Sequence, residues 1–197
     1  MGGTFDPVHY GHLVTAEEAL VQFNLDKVVF MPTGQPVSKG RDDVSPAEQR
    51  YLMTVLATAS NPDFEVSRME IDRQGPTYTV DTLAGYRAMI GDEADLFFIT
   101  GADAVWEILQ WKDPERVVEM CRLIAATRPG YDLGPFMSSK VGRAFADRID
   151  FMEVPALAIS STDIRERVRQ SRPIRYLLPE SVATFISKAG LYREGAR

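Results

Sequence analysis

The sequence predicts an α/β protein built on a doubly wound, parallel sheet. Short apolar runs with strand character alternate with helical segments along almost the whole chain, which implies crossover connections between parallel strands. A chain of 197 residues is long enough to bury a sizeable core. Its composition, with 45% hydrophobic and 25% charged residues, is that of an ordinary globular protein.

The strands are predicted from short apolar runs that end at turn residues. We expect them over 27–31, 64–71, 95–100, 122–127 and 149–154. The run at 95–100 (DLFFIT) is the clearest, because a strand buried on both faces is continuously apolar. Residues 101–103 (GAD) follow it, where we expect a strand to end and a helix to begin.

The helices are predicted from apolar spacing and from start and stop signals. We expect helices from about residue 8, from Ser45-Pro46, and from Asp113-Pro114, and over 79–90, 102–109, 160–169 and 179–188. At 45–48 (SPAE) the pattern is that of a capping box with proline at the first helical position. Together these elements predict one domain over 1–197, with a small C-terminal helical part from about residue 160.

The beginning of the chain is unusual for this fold class. A glycine turn in a parallel-sheet protein normally follows an apolar strand directly, but here Met1 precedes Gly2. We therefore expect a truncated first strand. A form extended by a few apolar residues is expected to be more stable and more active.

Charge and composition exclude several classes of protein. A net charge of −6 argues against a broad nucleic-acid surface. No apolar run approaches the roughly 20 residues that span a bilayer, and no export signal is recognisable. The single cysteine, Cys121, cannot form an internal disulfide. We expect a cytoplasmic protein without nucleic-acid or membrane partners, and the sequence leaves open whether it forms a homo-oligomer.

Both histidines of the chain lie in residues 2–12 (GGTFDPVHYGH). The glycines at the start allow backbone N–H groups to approach a phosphate, and the helix that follows offers a positive N-terminus. His9 and His12 share one helical face, and Gly11 thins the backbone between them. This pattern predicts a phosphate-binding loop.

Two alternatives for the histidine pair are weaker. A zinc site needs three or four ligands, and the sequence has no matching cysteine or histidine elsewhere. A pair of purely structural histidines stays open, but the surrounding glycines, proline and helix start favour phosphate binding.

Two motifs resemble those of one enzyme group. Residues 3–12 resemble the signature of nucleotidyltransferases with an H-x-G-H motif, and residues 159–165 (ISSTDIR) resemble the second signature of that group. The first motif is also similar to that of class I aminoacyl-tRNA synthetases, which are usually far longer and carry a Lys-Met-Ser-Lys-Ser-type loop that is absent here. Further segments at 75–83, 100–103, 127–131 and 176–179 are similar to bacterial nicotinate-nucleotide adenylyltransferases.

This resemblance covers almost the whole chain and implies a Rossmann-like fold. It implies transfer of the adenylyl group of ATP to nicotinate mononucleotide, giving deamido-NAD and pyrophosphate in NAD biosynthesis, with Mg²⁺ accompanying ATP. The attacking phosphomonoester is already an anion, since its second pKa is near 6. We therefore expect direct in-line transfer, without a strong general base or a covalent intermediate.

The residues and the resemblance together assign three sets of site residues. The predicted catalytic residues are His9, His12 and Arg165. The predicted ATP-binding residues are Gly2, Gly3, Thr4, Phe5, Gly11, Gly101, Asp103, Arg128, Ser160, Ser161 and Thr162. The predicted residues for nicotinate mononucleotide are Thr79, Trp111, Lys112, Lys39 and Arg50. No residue is assigned as a metal ligand.

The second motif has a direct physical interpretation. Ser160 to Thr162 are predicted at a helix start, where hydroxyl and N–H groups bind phosphate. Arg165, in the same helix, presents a planar fork that suits the β- and γ-phosphates. The alternative is an ordinary serine cap with a solvated arginine, which the first motif makes less favourable.

The nicotinate side of the site is assigned largely by resemblance, which implies stacking of Trp111 on the pyridine ring, with core packing of Trp111 as the alternative. For Trp106, core packing is favoured. Thr79 is expected to cap a helix and to contact the nicotinate. Lys112 stands where the family often has tyrosine, so the group facing the pyridine carboxylate stays open. Asp103 is interpreted as a ribose ligand or a helix cap.

Other functions stay open at this point. A sibling enzyme could use nicotinamide mononucleotide or phosphopantetheine, although phosphopantetheine enzymes are usually shorter and have threonine at the position of His9. A non-catalytic nucleotide-binding module is the alternative from a different class.

Overall fold

The computed structural model describes residues 1–36 and 44–193. Its strands are Gly2–Gly3 (β1), Val28–Pro32 (β2), Phe64–Val66 (β3), Phe97–Gly101 (β4), Arg122–Thr127 (β5) and Ile149–Glu153 (β6). Its α-helices are Tyr10–Gln22 (α1), Ala47–Thr58 (α2), Thr79–Ile90 (α3), Ala102–Trp106 (α4), Pro114–Met120 (α5), Gly134–Ser138 (α6), Lys140–Phe145 (α7), Ser161–Arg169 (α8) and Glu180–Ala189 (α9). Short 3-10 turns lie at Ile108–Gln110 and Ala146–Arg148.

The chain folds into two compact units. The outer unit comprises Gly3–Pro76 and Leu157–Arg197, and the middle unit comprises Met1–Gly2 and Thr77–Ala156. The predicted C-terminal helical part, α8 and α9, belongs to the outer unit. The organisation as one domain stays a prediction.

One three-stranded sheet has the order β1-β2-β3, and its strands β2 and β3 belong to the outer unit. Strands β2 and β3 are parallel, with Val28 opposite Phe64. Helix α2 packs against both strands and against α9. Phe30 and Met53 are fully buried in this core, because the apolar residues of β2 and one side of α2 face each other.

In the middle unit, the sheet has the order β4-β5-β6, and both strand pairs are parallel. The central strand β5 buries Leu123, Ile124 and Ala125 completely. Helices cover this sheet through buried side chains such as Val105 and Val117. The parallel pairs and alternating helices confirm the predicted α/β class. Among the helices described, none is long and apolar enough to cross a membrane.

The central strand was predicted over its observed range, 122–127, because burial on both faces makes its interior, Leu123 to Ala126, apolar. The first strand comprises only Gly2–Gly3 and lies beside β2. The strand expected over 64–71 is wrong in extent, because it ends at Val66. A turn then closes where the N–H of Asp72 donates to the carbonyl of Arg68.

Two predicted helix starts differ from the structure by one residue. Pro46, not Ser45, is the N-cap of α2, and Tyr78, not Thr79, is the N-cap of α3. Neither cap makes a side-chain hydrogen bond. Asp113 is confirmed as the N-cap of α5, with proline at the first helical position. The short helices α6 and α7 were not predicted, since they depend on burial of Phe136 and Phe145.

Candidate active site

The first motif forms a buried loop between β1 and α1 in the outer unit. We refer to residues 4–9 as the phosphate loop. Phe5 has a left-handed backbone (φ 49°), and its ring packs against Phe30 and against the edge of His12. Asp6 and His9 are also buried, at 4% and 6% exposure. His9 has an extended backbone and is the N-cap of α1.

The two imidazole rings lie face to face. Their centroids are 3.8 Å apart with an interplanar angle of 29°. The backbone N–H of His9 donates to Nδ1 of His12 at 3.2 Å. The His9 side chain lies near the backbone N–H of His12, as in a capping box. Its buried Nδ1, however, has no hydrogen-bond partner within the described residues.

Burial keeps both imidazoles neutral near pH 7. It lowers the pKa of His9 to about 4, and burial together with the neighbouring His9 lowers the pKa of His12 to about 3. Because Nδ1 of His12 accepts a hydrogen bond, its proton is placed on Nε2. His12 is therefore held as a neutral hydrogen-bond donor.

Two glycines of the motif make room for aromatic rings. A Cβ on Gly11 would lie 3.0 Å from two atoms of the His9 ring, and a Cβ on Gly3 would lie 2.9 Å from the Phe5 ring. These distances are shorter than ordinary van der Waals contacts. The glycines thus permit the ring packing of the loop, a reason that the sequence had not indicated.

The second motif begins helix α8 and is bonded to the phosphate loop. Ser160 is the N-cap, and its Oγ accepts the N–H of Asp163 at 3.1 Å. Ser161 Oγ donates to the carbonyl oxygen of Pro7 at 2.9 Å. Arg165 Nη1 donates to the carbonyl oxygen of Asp6 at 2.7 Å. The outer unit therefore joins two motifs that are more than 150 residues apart in sequence.

Other hydrogen bonds limit what the second motif has left for a ligand. Arg165 Nη2 donates to Oγ1 of Thr162 at 3.4 Å, which leaves the hydroxyl hydrogen of Thr162 available. The hydroxyl hydrogen of Ser161 is already used by Pro7. Ser160 accepts through its oxygen and keeps its hydrogen. Ser160 and Thr162 thus keep a hydroxyl hydrogen that Ser161 has already used.

Arg50 does not fit its predicted role. Arg50 is only 1% exposed, and each of its three guanidinium nitrogens donates to a backbone carbonyl oxygen. Nε bonds Ser45 at 2.9 Å, Nη1 bonds Thr4 at 2.8 Å and Nη2 bonds Gly34 at 3.1 Å. A guanidinium enclosed in this way holds the loops together instead of facing a substrate. The predicted Lys39 lies outside the described residues.

In the middle unit, three predicted residues lie at or just after the ends of neighbouring parallel strands. Gly101 ends β4, Asp103 lies in the first turn of α4, and Arg128 directly follows β5. Gly101 pairs with Ala126 in the sheet, so both strands end at the same edge. The carboxyl ends of parallel strands are where open α/β sheets bind ligands. Gly101, not Asp103, is the N-cap of α4, so the cap interpretation of Asp103 is wrong.

Lys112 is held beside the start of α3. Its Nζ lies 3.0 and 3.2 Å from the two carboxylate oxygens of Asp81, and 4.8 Å from the ring centroid of Tyr78. Thr79 is the first residue of this helix. Lys112 and Thr79 are thus brought to one helix end, and the lysine already has an anionic partner.

The two tryptophans have different environments. Trp111 is half-buried and packs edge-on against Phe98, with ring centroids 5.7 Å apart. For Trp106 core packing was expected, and its ring does pack edge-on against the buried Phe136, with centroids 5.3 Å apart. The residue is nevertheless 36% exposed, and its Nε1 donates to the hydroxyl of Tyr131 at 2.7 Å. Helix α4 has only five residues, so Trp106 stands at its last position. Sequence spacing alone could not show how early this helix ends.

Asp6 was not predicted as a site residue. Its carboxylate accepts the hydroxyl of Tyr192 at 2.7 Å and the N–H of Ser45 at 3.1 Å. An aspartate between an aromatic residue and a proline in an apolar, glycine-containing run was a signal for burial. No comparable signal marked Tyr192.

A family model described as cytidylyltransferase-like matches residues 1–167. The chain is 58% identical to a probable nicotinate-nucleotide adenylyltransferase of Moorella thermoacetica, over 98% of this chain and 90% of the relative. It is 54% identical to one from Salinispora tropica, over 98% of this chain and 100% of the relative.

One solved structure is similar in fold. Plasmodium falciparum nicotinic acid mononucleotide adenylyltransferase, complexed with NaAD, matches with a TM-score of 0.78. The match covers 97% of this chain and 94% of that chain at 17% identity. At this identity the likeness supports the Rossmann-like fold alone.

Proposed function

Because the chain belongs to the cytidylyltransferase-like family and groups with nicotinate-nucleotide adenylyltransferases, we propose that it transfers the adenylyl group of ATP to nicotinate mononucleotide. The products are deamido-NAD and pyrophosphate. The observation that carries the proposal is the pair of hydrogen bonds from Ser161 and Arg165 to Pro7 and Asp6. They join both nucleotidyltransferase motifs in one arrangement of phosphate donors.

In the proposed mechanism the acceptor's phosphate attacks the α-phosphorus of ATP directly. A phosphomonoester is largely dianionic at pH 7, since its second pKa is near 6. The oxygen–phosphorus bond to the acceptor forms as the bond to pyrophosphate breaks, and no proton has to be removed from the nucleophile. The enzyme's task is to align the two phosphates and to stabilise the charge that develops.

Neutral donors and one cation suit this task. His12 Nε2–H donates to an oxygen of the reacting phosphate, and its orientation is set by the hydrogen bond that Nδ1 accepts. His9 lies against it and donates to the same group. Arg165 adds a positive charge for the departing pyrophosphate, and Ser160 and Thr162 add hydroxyl donors. The backbone N–H groups at the start of this motif are proposed to bind the ATP phosphates; they belong to Gly2, Gly3, Thr4 and Phe5.

The middle-unit residues are proposed for the rest of the two substrates. Gly101, Asp103 and Arg128 bind ATP, with Asp103 accepting from a ribose hydroxyl. Trp111 stacks on the pyridine ring, as flat aromatic rings favour. Thr79 and Lys112 contact the nicotinate carboxylate near the start of α3.

Mg²⁺ is proposed as an ion carried by ATP. Within the described residues, no group of three or more His, Cys, Asp or Glu is arranged to hold a metal by itself. Mg²⁺ often keeps waters and binds substrate phosphates with few protein ligands. When bound, the ion would neutralise phosphate charge. We also propose a cytoplasmic location, where a chain with one cysteine meets a reducing environment.

The proposal is tested by measuring pyrophosphate release from ATP and Mg²⁺ with each of three acceptors. Nicotinate mononucleotide is expected to support the highest kcat/KM, nicotinamide mononucleotide a lower value, and phosphopantetheine none. A higher value with another acceptor would contradict the proposed substrate. ATP binding without pyrophosphate release in the presence of any of the three acceptors would identify a non-catalytic nucleotide-binding module instead.

A further inference from the structure

The side chain of Asp6 connects distant parts of the outer unit. A buried carboxylate needs hydrogen-bond partners, because removal from water is costly for a charge. Here Oδ1 accepts the hydroxyl of Tyr192 at 2.7 Å, and Oδ2 accepts the backbone N–H of Ser45 at 3.1 Å. The three residues come from the phosphate loop, the segment before α2 and the chain after α9.

The backbone of the same loop carries the proposed catalytic groups. The carbonyl oxygen of Asp6 accepts Arg165 Nη1 at 2.7 Å. The next carbonyl, of Pro7, accepts Ser161 Oγ at 2.9 Å. Two residues further along, His9 is the N-cap of α1. A shift of the Asp6 side chain would therefore move the carbonyl oxygen that accepts from Arg165, and with it the start of α1.

Tyr192 is itself held firmly in place. Gly190 ends α9 with a left-handed backbone, and the N–H of Leu191 donates to the carbonyl of Ile186 at 3.1 Å. Leu191 is buried, and Tyr192 has φ 65°, a strained value for a tyrosine that tertiary contacts must stabilise. Burial and the nearby Asp6 raise the pKa of Tyr192 above its usual range, so its hydroxyl stays a donor.

We propose that Tyr192 is a positioning residue for the phosphate loop. Its hydroxyl holds the carboxylate of Asp6, and the backbone of Asp6 in turn fixes Arg165 and the approach to His9. The effect on catalysis rests on the proposed adenylyl transfer, whereas the effect on loop geometry does not.

The chain offers a direct readout of this geometry. It contains only two histidines, and both lie in the first motif. The ¹⁵N and ¹H signals of the two imidazoles therefore report the environment and tautomer of His9 and His12 without overlap from other histidines. These signals can be recorded whether or not the protein is an active enzyme.

The test compares Tyr192→Phe, which removes one hydroxyl and keeps the ring, with Tyr176→Phe as the control. Tyr176 is 82% exposed, so loss of its hydroxyl should change neither the imidazole signals nor kcat. In Tyr192→Phe we expect shifted imidazole signals, a fall of about tenfold in kcat, and less than about a twofold change in the KM for ATP. Both proteins are measured well below their melting temperatures, so that a loss of stability alone changes neither readout.

A second variant tests whether Tyr192 acts through Asp6. Asp6→Asn alone should shift the imidazole signals, and adding Tyr192→Phe to it should produce little further change, because interacting residues are not additive. Unshifted imidazole signals in Tyr192→Phe, an unchanged kcat, or fully additive effects would each overturn the proposal. If the unmodified chain releases no pyrophosphate, the proposed function fails, and the imidazole signals and their additivity alone decide the positioning role.

Discussion

The outer and middle units hold their proposed site residues in different ways. In the outer unit, Arg165 and Ser161 donate to backbone carbonyls of a buried loop. In the middle unit, Lys112 is exposed and is held by another side chain, the carboxylate of Asp81. Backbone carbonyls move only if the loop moves, whereas an exposed ion pair exchanges partners readily.

This difference matches the chemistry proposed for each unit. The reacting phosphates are the same whichever mononucleotide is used, and preorganised dipoles stabilise their charge most effectively. The substituent on the pyridine ring distinguishes the related substrates. An exposed lysine that recognises it can be replaced by another residue without disturbing the hydrophobic core. We therefore expect changes in the outer unit to affect the rate strongly and changes in the middle unit to affect substrate preference modestly.

The largest expected effect is on His12. His12→Ala removes a donor whose tautomer is set by the N–H of His9, so kcat should fall about 10²–10³-fold. Steady-state pyrophosphate release measures it. Val21→Ala, an exposed change in the same helix, serves as the control. A folded His12→Ala variant with nearly normal kcat would remove the histidine pair from the mechanism.

A smaller effect is expected for Arg165→Lys. Lysine keeps the charge but cannot bond the carbonyl of Asp6 and a phosphate with one rigid fork. We expect kcat/KM for ATP to fall about 10–100-fold, as for the loss of a hydrogen bond to a charged group. Arg169→Lys, an exposed change in the same helix, should have little effect. Equal values for the two variants would contradict the geometric role of Arg165.

The pH dependence of stability tests the burial of the histidines. Their pKa values, about 4 and about 3, lie below the usual 6.5, so the unfolded chain binds more protons below pH 6.5. The free energy of unfolding should therefore fall as the pH drops from 6.5 towards 4, by about 1–2 kcal/mol per histidine at pH 5.

The matched variant for this experiment is His12→Gln, which cannot titrate. Chemical denaturation of both proteins between pH 7 and 5 should show a shallower loss of stability in the variant. Parallel curves would mean that His12 is not buried as a neutral ring.

The smallest effect is expected in the middle unit. Lys112→Met removes an ammonium group beside α3, so the ratio of kcat/KM for the acid over the amide mononucleotide should fall about two- to fivefold. Asp81→Asn releases the lysine from its present partner and should raise the same ratio. Identical ratios in both variants would show that another group recognises the carboxylate.

Much of the fold could be predicted because local chemistry and burial agreed. The strand at 122–127 is central in its sheet and has an apolar interior, Leu123 to Ala126, and Asp113-Pro114 marks a helix start that the structure confirms. The predicted bounds of elements were wrong where the apolar pattern was short, or where a strand and a turn can have the same pattern. The apolar residues after Val66 lie in a turn, and Trp106 is partly exposed although its ring packs edge-on against the buried Phe136.

For the site, the sequence by itself determined the two motifs and the chemistry that they can support. Glycines, paired histidines and a serine-rich helix start have properties that depend on residue type and close spacing. Only the tertiary structure decided which groups remain available. Arg50 is enclosed by three carbonyls, Ser161 is bonded to Pro7, and Asp6 is bonded to Tyr192. Except for Ser45, which lies five residues before Arg50, these partners are distant in the chain. Burial, which lowers the histidine pKa values, arises only when the chain is folded.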